Sequence, residues 1–230
     1  MSDIVKIIKY NLKIIFGNRF VYFLGASLIF YLIITGIALF SGDDVALEDA
    51  YYQLIFPGIL LVFFPTTFGI QNDEDARILE ILFGIPNYRY KVWLVRLAII
   101  FIMVYVMIVF FAFLNNFLLV ELPVFKMSRH LVVVLILFGS LGFLFSTMVK
   151  NGNGSAVFMV VVGLALWFLH GFLGESKWNA FLNPFGIPRN VSASLYQMII
   201  FQNRLILLSV SVVAVLWGLI NLQKREKFIK

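Results

Sequence analysis

The densest group of ionisable side chains in this sequence lies in one short segment, residues 73–86. Its charged side chains are Asp73, Glu74, Asp75, Arg77 and Glu80. Residues 75–83 are good helix formers, several of them apolar, and Pro86 ends the segment. Carboxylates on a short helix can form charge-assisted hydrogen bonds with a basic groove. A short charged helix of this kind is what a partner protein needs for docking. Composition alone, however, favours a solvated turn, in which Glu80 pairs only with Arg77.

The rest of the sequence offers no catalytic or metal-binding arrangement. It has no cysteine, and its two histidines, His130 and His170, have no suitable partner nearby in the sequence. An enzyme needs convergent acids, bases or a metal cluster. The glycine-rich residues 151–155 lack the lysine of a phosphate-binding loop. We predict no catalytic, cofactor-binding or metal-binding residue, and we expect His170 to hydrogen bond to a neighbour near a membrane surface.

Six long stretches without a charged residue surround segment 73–86. They are residues 20–41, 50–72, 97–120, 130–149, 155–174 and 205–223. A bilayer core about 30 Å thick requires about 20 apolar helical residues to cross it. The sequence is 62% hydrophobic and only 13% charged, which is outside the range of soluble domains. We predict an all-α membrane protein in which residues 1–230 form one transmembrane domain with six spans.

The basic residues are distributed unequally between the two predicted sides of the membrane. Of the 18 Lys and Arg residues, the predicted outer segments contain only Lys126, Arg129, Lys177, Arg189 and Arg204. Cytoplasmic loops are enriched in Lys and Arg, so both termini are predicted to be cytoplasmic. This asymmetry and contacts with lipid head groups explain the net charge of +6. We do not expect the chain to bind nucleic acid.

Two further elements are predicted at the membrane surfaces. Residues 3–17 indicate an amphipathic interfacial helix, with basic residues on one face: Lys6, Lys9 and Lys13. The alternative is a simple basic flank of the first span. Residues 175–203 mix aromatic and polar side chains, which predicts a re-entrant or interfacial hairpin on the outer side, before the last span.

The second and fourth predicted spans contain residues that shape helix packing. Pro57 and Pro65 interrupt the second span, which indicates either a kink at a gate or an adjustment of packing. The fourth span contains Gly139, Ser140 and Gly142, and small residues of this kind allow two helices to approach closely.

The order of residues in segment 73–86 resembles the inner loop of the permeases of type-2 ABC transporters. In that family a glutamate is followed by Gly-Thr, a Leu-Glu pair, two leucines and a proline. The matching positions here are Glu74, Leu79, Glu80, Leu82, Phe83 and Pro86. The departure is at Gly-Thr, which is Arg77-Ile78 in this chain. The predicted layout of an interfacial helix, six spans and a hairpin before the last span is also similar to that family.

The resemblance implies that segment 73–86 is a coupling helix that docks into a groove of a separate ATPase subunit, which binds ATP and Mg²⁺. The residues expected at this contact are Asp73, Glu74, Arg77, Leu79, Glu80, Leu82 and Pro86. It also implies that two permease chains, identical or different, pair around an export path in a bacterial cytoplasmic membrane. No cofactor is expected in this chain itself.

The alternative function is that of an ion-coupled transporter or channel that needs no ATPase. Such proteins place ionisable groups near the middle of the membrane. The predicted spans have no Asp, Glu, Lys or Arg near their centres, which favours the exporter. The sequence does not specify the substrate. Its 26 phenylalanines favour an amphiphilic cargo only weakly, because phenylalanine also suits lipid contact.

Overall fold

The structure, a computed structural model, describes residues 20–41, 45–75, 89–149, 151–188 and 191–222, and no strand occurs in these ranges. In chain order the helices are α1 (Phe20–Ser41), α2 (Leu47–Thr67), α3 (Gly69–Asp75), α4 (Val95–Leu118), α5 (Val124–Val149), α6 (Gly152–Leu173) and α7 (Ala193–Asn221). A π-helical turn, Arg89–Leu94, leads directly into α4.

Six helical stretches of the described chain are long and apolar enough to cross a membrane. They comprise α1, α2, α4 with the end of the π-helical turn, α5, α6 and α7. This confirms the predicted all-α architecture with six spans, which is the pattern of an integral membrane protein. The third stretch, Val92–Leu118, begins five residues before the uncharged run 97–120 and includes Arg96. The last helix differs from the prediction, because it begins at Ala193 and not near Leu205.

Several predicted features lie wholly or partly outside the described residues. Those wholly outside are the interfacial helix at residues 3–17 with Lys6, Lys9 and Lys13, and the coupling residues after Asp75. The predicted hairpin, residues 175–203, is described except for residues 189–190. It consists of turns up to residue 188 and of the first part of α7, from Ala193 onwards. Its re-entrant position in a membrane stays a prediction.

Helix α5 is the centre of the bundle. It packs against α2, α4, α6 and α7, and 61% of its most apolar stretch is buried by the protein itself. The core around it is built from large aliphatic and aromatic side chains, among them Leu54, Leu61, Leu131, Leu135 and Phe138. Helices α1 and α6 lie at the periphery, with only 17% and 6% of the corresponding stretches buried. Their outward apolar side chains suit contact with lipid.

Two glycines of α5 allow α2 to approach closely. A Cβ atom on Gly139 would lie 2.7 Å from Cγ2 of Val62, and one on Gly142 would lie 2.6 Å from Oγ1 of Thr66. Both distances are shorter than van der Waals contact, so a larger residue would push the helices apart. This confirms the prediction that small residues in the fourth span bring two helices together.

Both predicted kink residues, Pro57 and Pro65, lie inside α2. A proline in a helix removes one N–H donor and leaves a carbonyl without its helical partner. Hydroxyl groups hydrogen bond to the backbone of α2 close to both positions. Ser27 of α1 donates to the Pro57 carbonyl at 2.8 Å, and Thr66 donates to the Val62 carbonyl at 2.7 Å. Neither acceptor is one of the carbonyls that the prolines leave free, which are those of Gln53 and Leu61, so a kink at a gate and an adjustment of packing both stay predictions.

Candidate functional site

The two ends of the bundle carry different polar clusters. We call them the Asp73 end, where α3 and the start of α4 lie, and the Arg204 end, where residues 174–192 connect α6 to α7. The orientation predicted from the basic residues places the Asp73 end in the cytoplasm. Segment 73–86, the predicted coupling element, begins at this end with Asp73.

Asp73, the first residue of that segment, is held in a buried ion pair. Nη1 of Arg96 donates to Oδ2 of Asp73 at 2.7 Å, and the two side chains are 4% and 2% exposed, respectively. Burial raises the pKa of the Asp73 carboxyl, and the Arg96 guanidinium opposes this rise. The pair joins the last turn of α3 to the first turn of α4. Separating the partners would leave a buried unpaired charge, which is strongly unfavourable.

Arg96 has hydrogen-bonding capacity beyond its pair with Asp73. Its Cζ atom lies 4.6 Å from the centroid of the Trp93 ring, which is a cation–π contact. Nε and Nη2 of Arg96 and the indole N–H of Trp93 are buried and have no acceptor in the described part of the chain. Buried donors without an acceptor are uncommon in folded proteins.

Gln71 fastens α3 to the beginning of α6. Its side-chain oxygen accepts a hydrogen bond from the Gly152 N–H at 2.5 Å. The Asn151 side chain accepts from the Asn153 N–H at 2.9 Å and so caps α6. A Cβ atom on Gly152 would collide with Gln71 and Phe68, so this contact requires glycine.

An apolar cluster supports α3 on the side that faces the bundle. Its buried members come from α3, the π-helical turn, α4, α5 and α7: Ile70, Trp93, Leu97, Phe143 and Leu219. Together with the Asp73–Arg96 and Gln71–Gly152 contacts, this packing holds α3 against α4, α5 and α6.

Only the start of the predicted coupling segment belongs to the described residues. Asp73 is enclosed and bound to Arg96, whereas Glu74 beside it is half-buried. The remaining predicted contacts lie outside the described ranges: Arg77, Leu79, Glu80, Leu82 and Pro86. The Asp73 carboxylate thus serves an internal contact of the bundle, which the sequence pattern does not reveal.

Arg96, Trp93 and Gln71 belong to this site although the sequence pattern does not single them out. A signal exists for Arg96. A cation at the start of a long apolar span needs a path to water or a buried partner, and acidic residues end the preceding apolar stretch. Gln71 gives no comparable signal, because a polar residue at the end of a span is common.

At the opposite end, Arg204 lies more than three turns into α7 and is 7% exposed. Its Nη1 donates to Oδ1 of Asn203 at 3.0 Å. Its Nη2 donates to the Tyr51 hydroxyl at 3.1 Å and to the Leu182 carbonyl at 3.0 Å. All three acceptors are neutral. Arg204 is predicted to precede the last helix, but it lies inside α7, because this helix begins at Ala193. Its predicted location on the outer side stays a prediction.

The segment between α6 and α7 is fixed to the bundle by amide side chains. Nδ2 of Asn203 donates to the carbonyl groups of Lys177 at 2.9 Å and Asn179 at 2.8 Å. The His170 ring contacts the Asn179 amide at 2.8 Å and the Tyr52 hydroxyl at 3.4 Å. His170 therefore hydrogen bonds to neighbours, as predicted.

In the ranges that the structure describes, no group of three or more His, Cys, Asp and Glu side chains is placed to hold a metal ion. Comparison with known proteins identifies no relative: no family model matches the chain, and no curated protein or solved structure is significantly similar to it.

Proposed function

We propose that this chain is the transmembrane subunit of an ATP-binding-cassette exporter, driven by a separate ATPase subunit that holds ATP and Mg²⁺. The resemblance of residues 73–86 to the inner loop of type-2 permeases supports this proposal. The observation that carries it is the attachment of α3, from which that segment emerges. A docking element can transmit force only if it is joined firmly to the spans, and the Asp73–Arg96 and Gln71–Gly152 contacts provide such a joint.

In the proposed assembly, two permease chains pair around the export path in a bacterial cytoplasmic membrane. The termini and the Asp73 end face the cytoplasm, and residues 3–17 form a helix on the inner membrane surface. Residues 73–86 form the coupling helix. Glu74 and Glu80 enter a basic groove of the ATPase, and movement of that subunit on ATP binding shifts α3 together with α4 and α6.

Replacing Glu74 and Glu80 with alanine is expected to weaken ATPase docking or to uncouple hydrolysis from transport. Loss of a carboxylate from a buried charge pair at an interface has an effect of about 2–5 kcal/mol. The measurement is the amount of ATPase subunit, and of ATPase activity, that copurifies with the tagged chain from native membranes. Glu121→Ala is the control, because Glu121 is exposed in the connection between α4 and α5, at the Arg204 end.

Normal copurification and transport by both the Glu74→Ala and Glu80→Ala variants would remove the coupling role from these residues. Hydrolysis of ATP by the chain alone, with no second subunit present, would contradict the proposed division of labour itself.

The proposed orientation is expected to appear in cysteine labelling, because the chain has no native cysteine. A cysteine at position 150 should react with an impermeant maleimide only after the membrane is opened. Cysteines at positions 43 and 177 should react in intact cells. External labelling at position 150 would overturn the orientation.

The second candidate function is that of an ion-coupled transporter. Arg204 favours it, because a buried cation within a spanning helix is a common element of ion and proton pathways. The two functions differ in their energy source. Transport by the chain in liposomes, driven by an ion gradient without ATP or an ATPase, would support this second candidate and exclude the first.

A further inference from the structure

Two neighbouring cavities at the Arg204 end share Asp49 and Tyr52. The first has a volume of about 330 Å³, and its polar wall includes Glu48, Asp49, Tyr52, His170, Glu175 and Tyr196. The second, about 460 Å³, is an open groove between α1 and α2, whose wall includes Ile34, Ala38, Asp49, Tyr52, Gln53 and Phe56. Both volumes fall in the range of small-molecule sites, about 300–1,000 Å³. A ligand that occupies both cavities would therefore have one polar and one apolar part.

The polar cavity has the chemistry of a site for an ammonium group. Three carboxylates, those of Glu48, Asp49 and Glu175, line it, and no Lys or Arg among the residues that the structure describes does. Arg204, a buried cation at this end, does not line the cavity, and its Nη2 donates to the Leu182 carbonyl and the Tyr51 hydroxyl. Among the described residues, the three lining carboxylates therefore have no lining cation beside them.

Aromatic rings stand at the junction of the two cavities. The Tyr52 ring lies 5.8 Å from the ring of His170 and 6.4 Å from that of Trp167, in edge-to-face contacts. Trp167 also lies 5.1 Å from Phe56, on the wall of the groove. An ammonium group is attracted both to carboxylates and to the faces of aromatic rings. A sulfate or phosphate head group would be repelled by the three carboxylates.

The groove beside this junction suits a single alkyl chain. Ile34 and Ala38 of α1 and Phe56 of α2 supply its apolar surface. α1 is one of the two peripheral helices, so the groove lies where a chain could pass between the bundle and the lipid. The hydrogen-bonded pair of Gln53 and Asn115, at 3.2 Å, lies at the side of the groove.

We infer that the two cavities together bind a single-chain amphiphile with an ammonium head group. The head group lies among Glu48, Asp49 and Glu175, and the chain lies in the groove between α1 and α2. The inference rests on the proposed export function, for which it names the class of cargo.

Binding is measured on the full chain in a neutral detergent, with decyltrimethylammonium as the probe. The amount of bound probe is measured by equilibrium dialysis with radiolabelled ligand, on the chain with all its tryptophans in place. Saturable binding is expected with decyltrimethylammonium and not with decyl maltoside or decanoate at the same concentrations. Glu48→Gln and Glu175→Gln should each weaken binding about two- to fivefold, and more when combined. Glu121→Gln, the same change away from both cavities, should have no effect.

Equal binding of the uncharged or anionic probe would overturn the inference, as would unchanged affinity in the Glu48→Gln/Glu175→Gln variant. The assay uses the chain without an ATPase, so its outcome is separate from that of the copurification experiment. A chain that binds the probe but recruits no ATPase refutes the proposed function and not this site. A chain that recruits an ATPase but does not bind the probe refutes this site alone.

Discussion

Replacing Arg96 with methionine is expected to lower the free energy of unfolding by about 3–5 kcal/mol. The variant would leave the Asp73 carboxylate enclosed by the bundle without its guanidinium partner. Methionine keeps much of the length and apolar surface of the arginine side chain, so the effect is that of the lost charge pair and not of a cavity. The measurement is equilibrium unfolding in detergent.

The matched control is the double variant Asp73→Leu/Arg96→Met, which removes both charges. Replacement of a buried ion pair by apolar residues is often neutral or stabilising. We therefore expect the double variant to recover most of the stability lost by Arg96→Met. A double variant no more stable than the single one would show that packing, and not the charge pair, determines the effect.

The loss in the Arg96→Met variant should also depend on pH. Burial raises the pKa of Asp73, and without Arg96 nothing opposes that rise. A raised carboxyl pKa gives stability that is present below the unfolded-state value, about 3.9, and is lost as the pH rises through the folded-state value. The loss of stability relative to the wild type should therefore be smaller near pH 5, about one unit above the unfolded-state pKa, than near pH 8, about four units above it.

Replacing Arg204 with methionine is expected to lower the stability by about 3 kcal/mol, because hydrogen bonds to charged groups each contribute about 1.5–3 kcal/mol. The variant removes the guanidinium that donates hydrogen bonds to the Tyr51 hydroxyl and to the Leu182 carbonyl. The Tyr51 side chain is fully buried. Relief of the buried charge offsets part of this loss. Because Leu182 belongs to the segment between α6 and α7, the backbone amides of that segment should also exchange faster with solvent than they do in the wild type.

The control for Arg204 is Lys177→Met, which removes an exposed cation from the same end of the molecule. A surface change of this kind has an effect within about 0.5 kcal/mol. Equal losses in the two variants would mean that net charge, and not the hydrogen bonds of Arg204, holds this end together.

Helix number and character follow from the sequence because each crossing requires a long apolar run, and such runs are visible without knowledge of contacts. The small residues Gly139 and Gly142 also indicate a close helix approach before the partner helix is known. The start of the last helix is harder to predict. Residues 193–203 mix polar, aliphatic and aromatic side chains. They are helical here because Ser192 caps the helix and because Asn203 and Tyr196 donate hydrogen bonds to the preceding segment.

The contacts of the candidate site depend on how the helices are rotated and shifted relative to one another, which a single sequence does not specify. Asp73 and Arg96 are 23 positions apart, and Gln71 and Gly152 are 81 apart. Charge alone would pair Asp73 equally well with a cation of a partner protein. Only the buried position of both side chains shows that Asp73 has an internal role. Arg204 and Tyr51, 153 positions apart, meet for the same reason.

The enclosed position of α2 has a consequence for how the protein enters the membrane. Of the six spanning stretches α2 is the least apolar, yet 67% of its stretch is buried by other parts of the protein, against 6% for the far more apolar α6. A weakly apolar segment partitions poorly into lipid when it is alone. We therefore expect the stable integration of α2 to depend on packing against its neighbours, above all α5, more than the integration of α6 does.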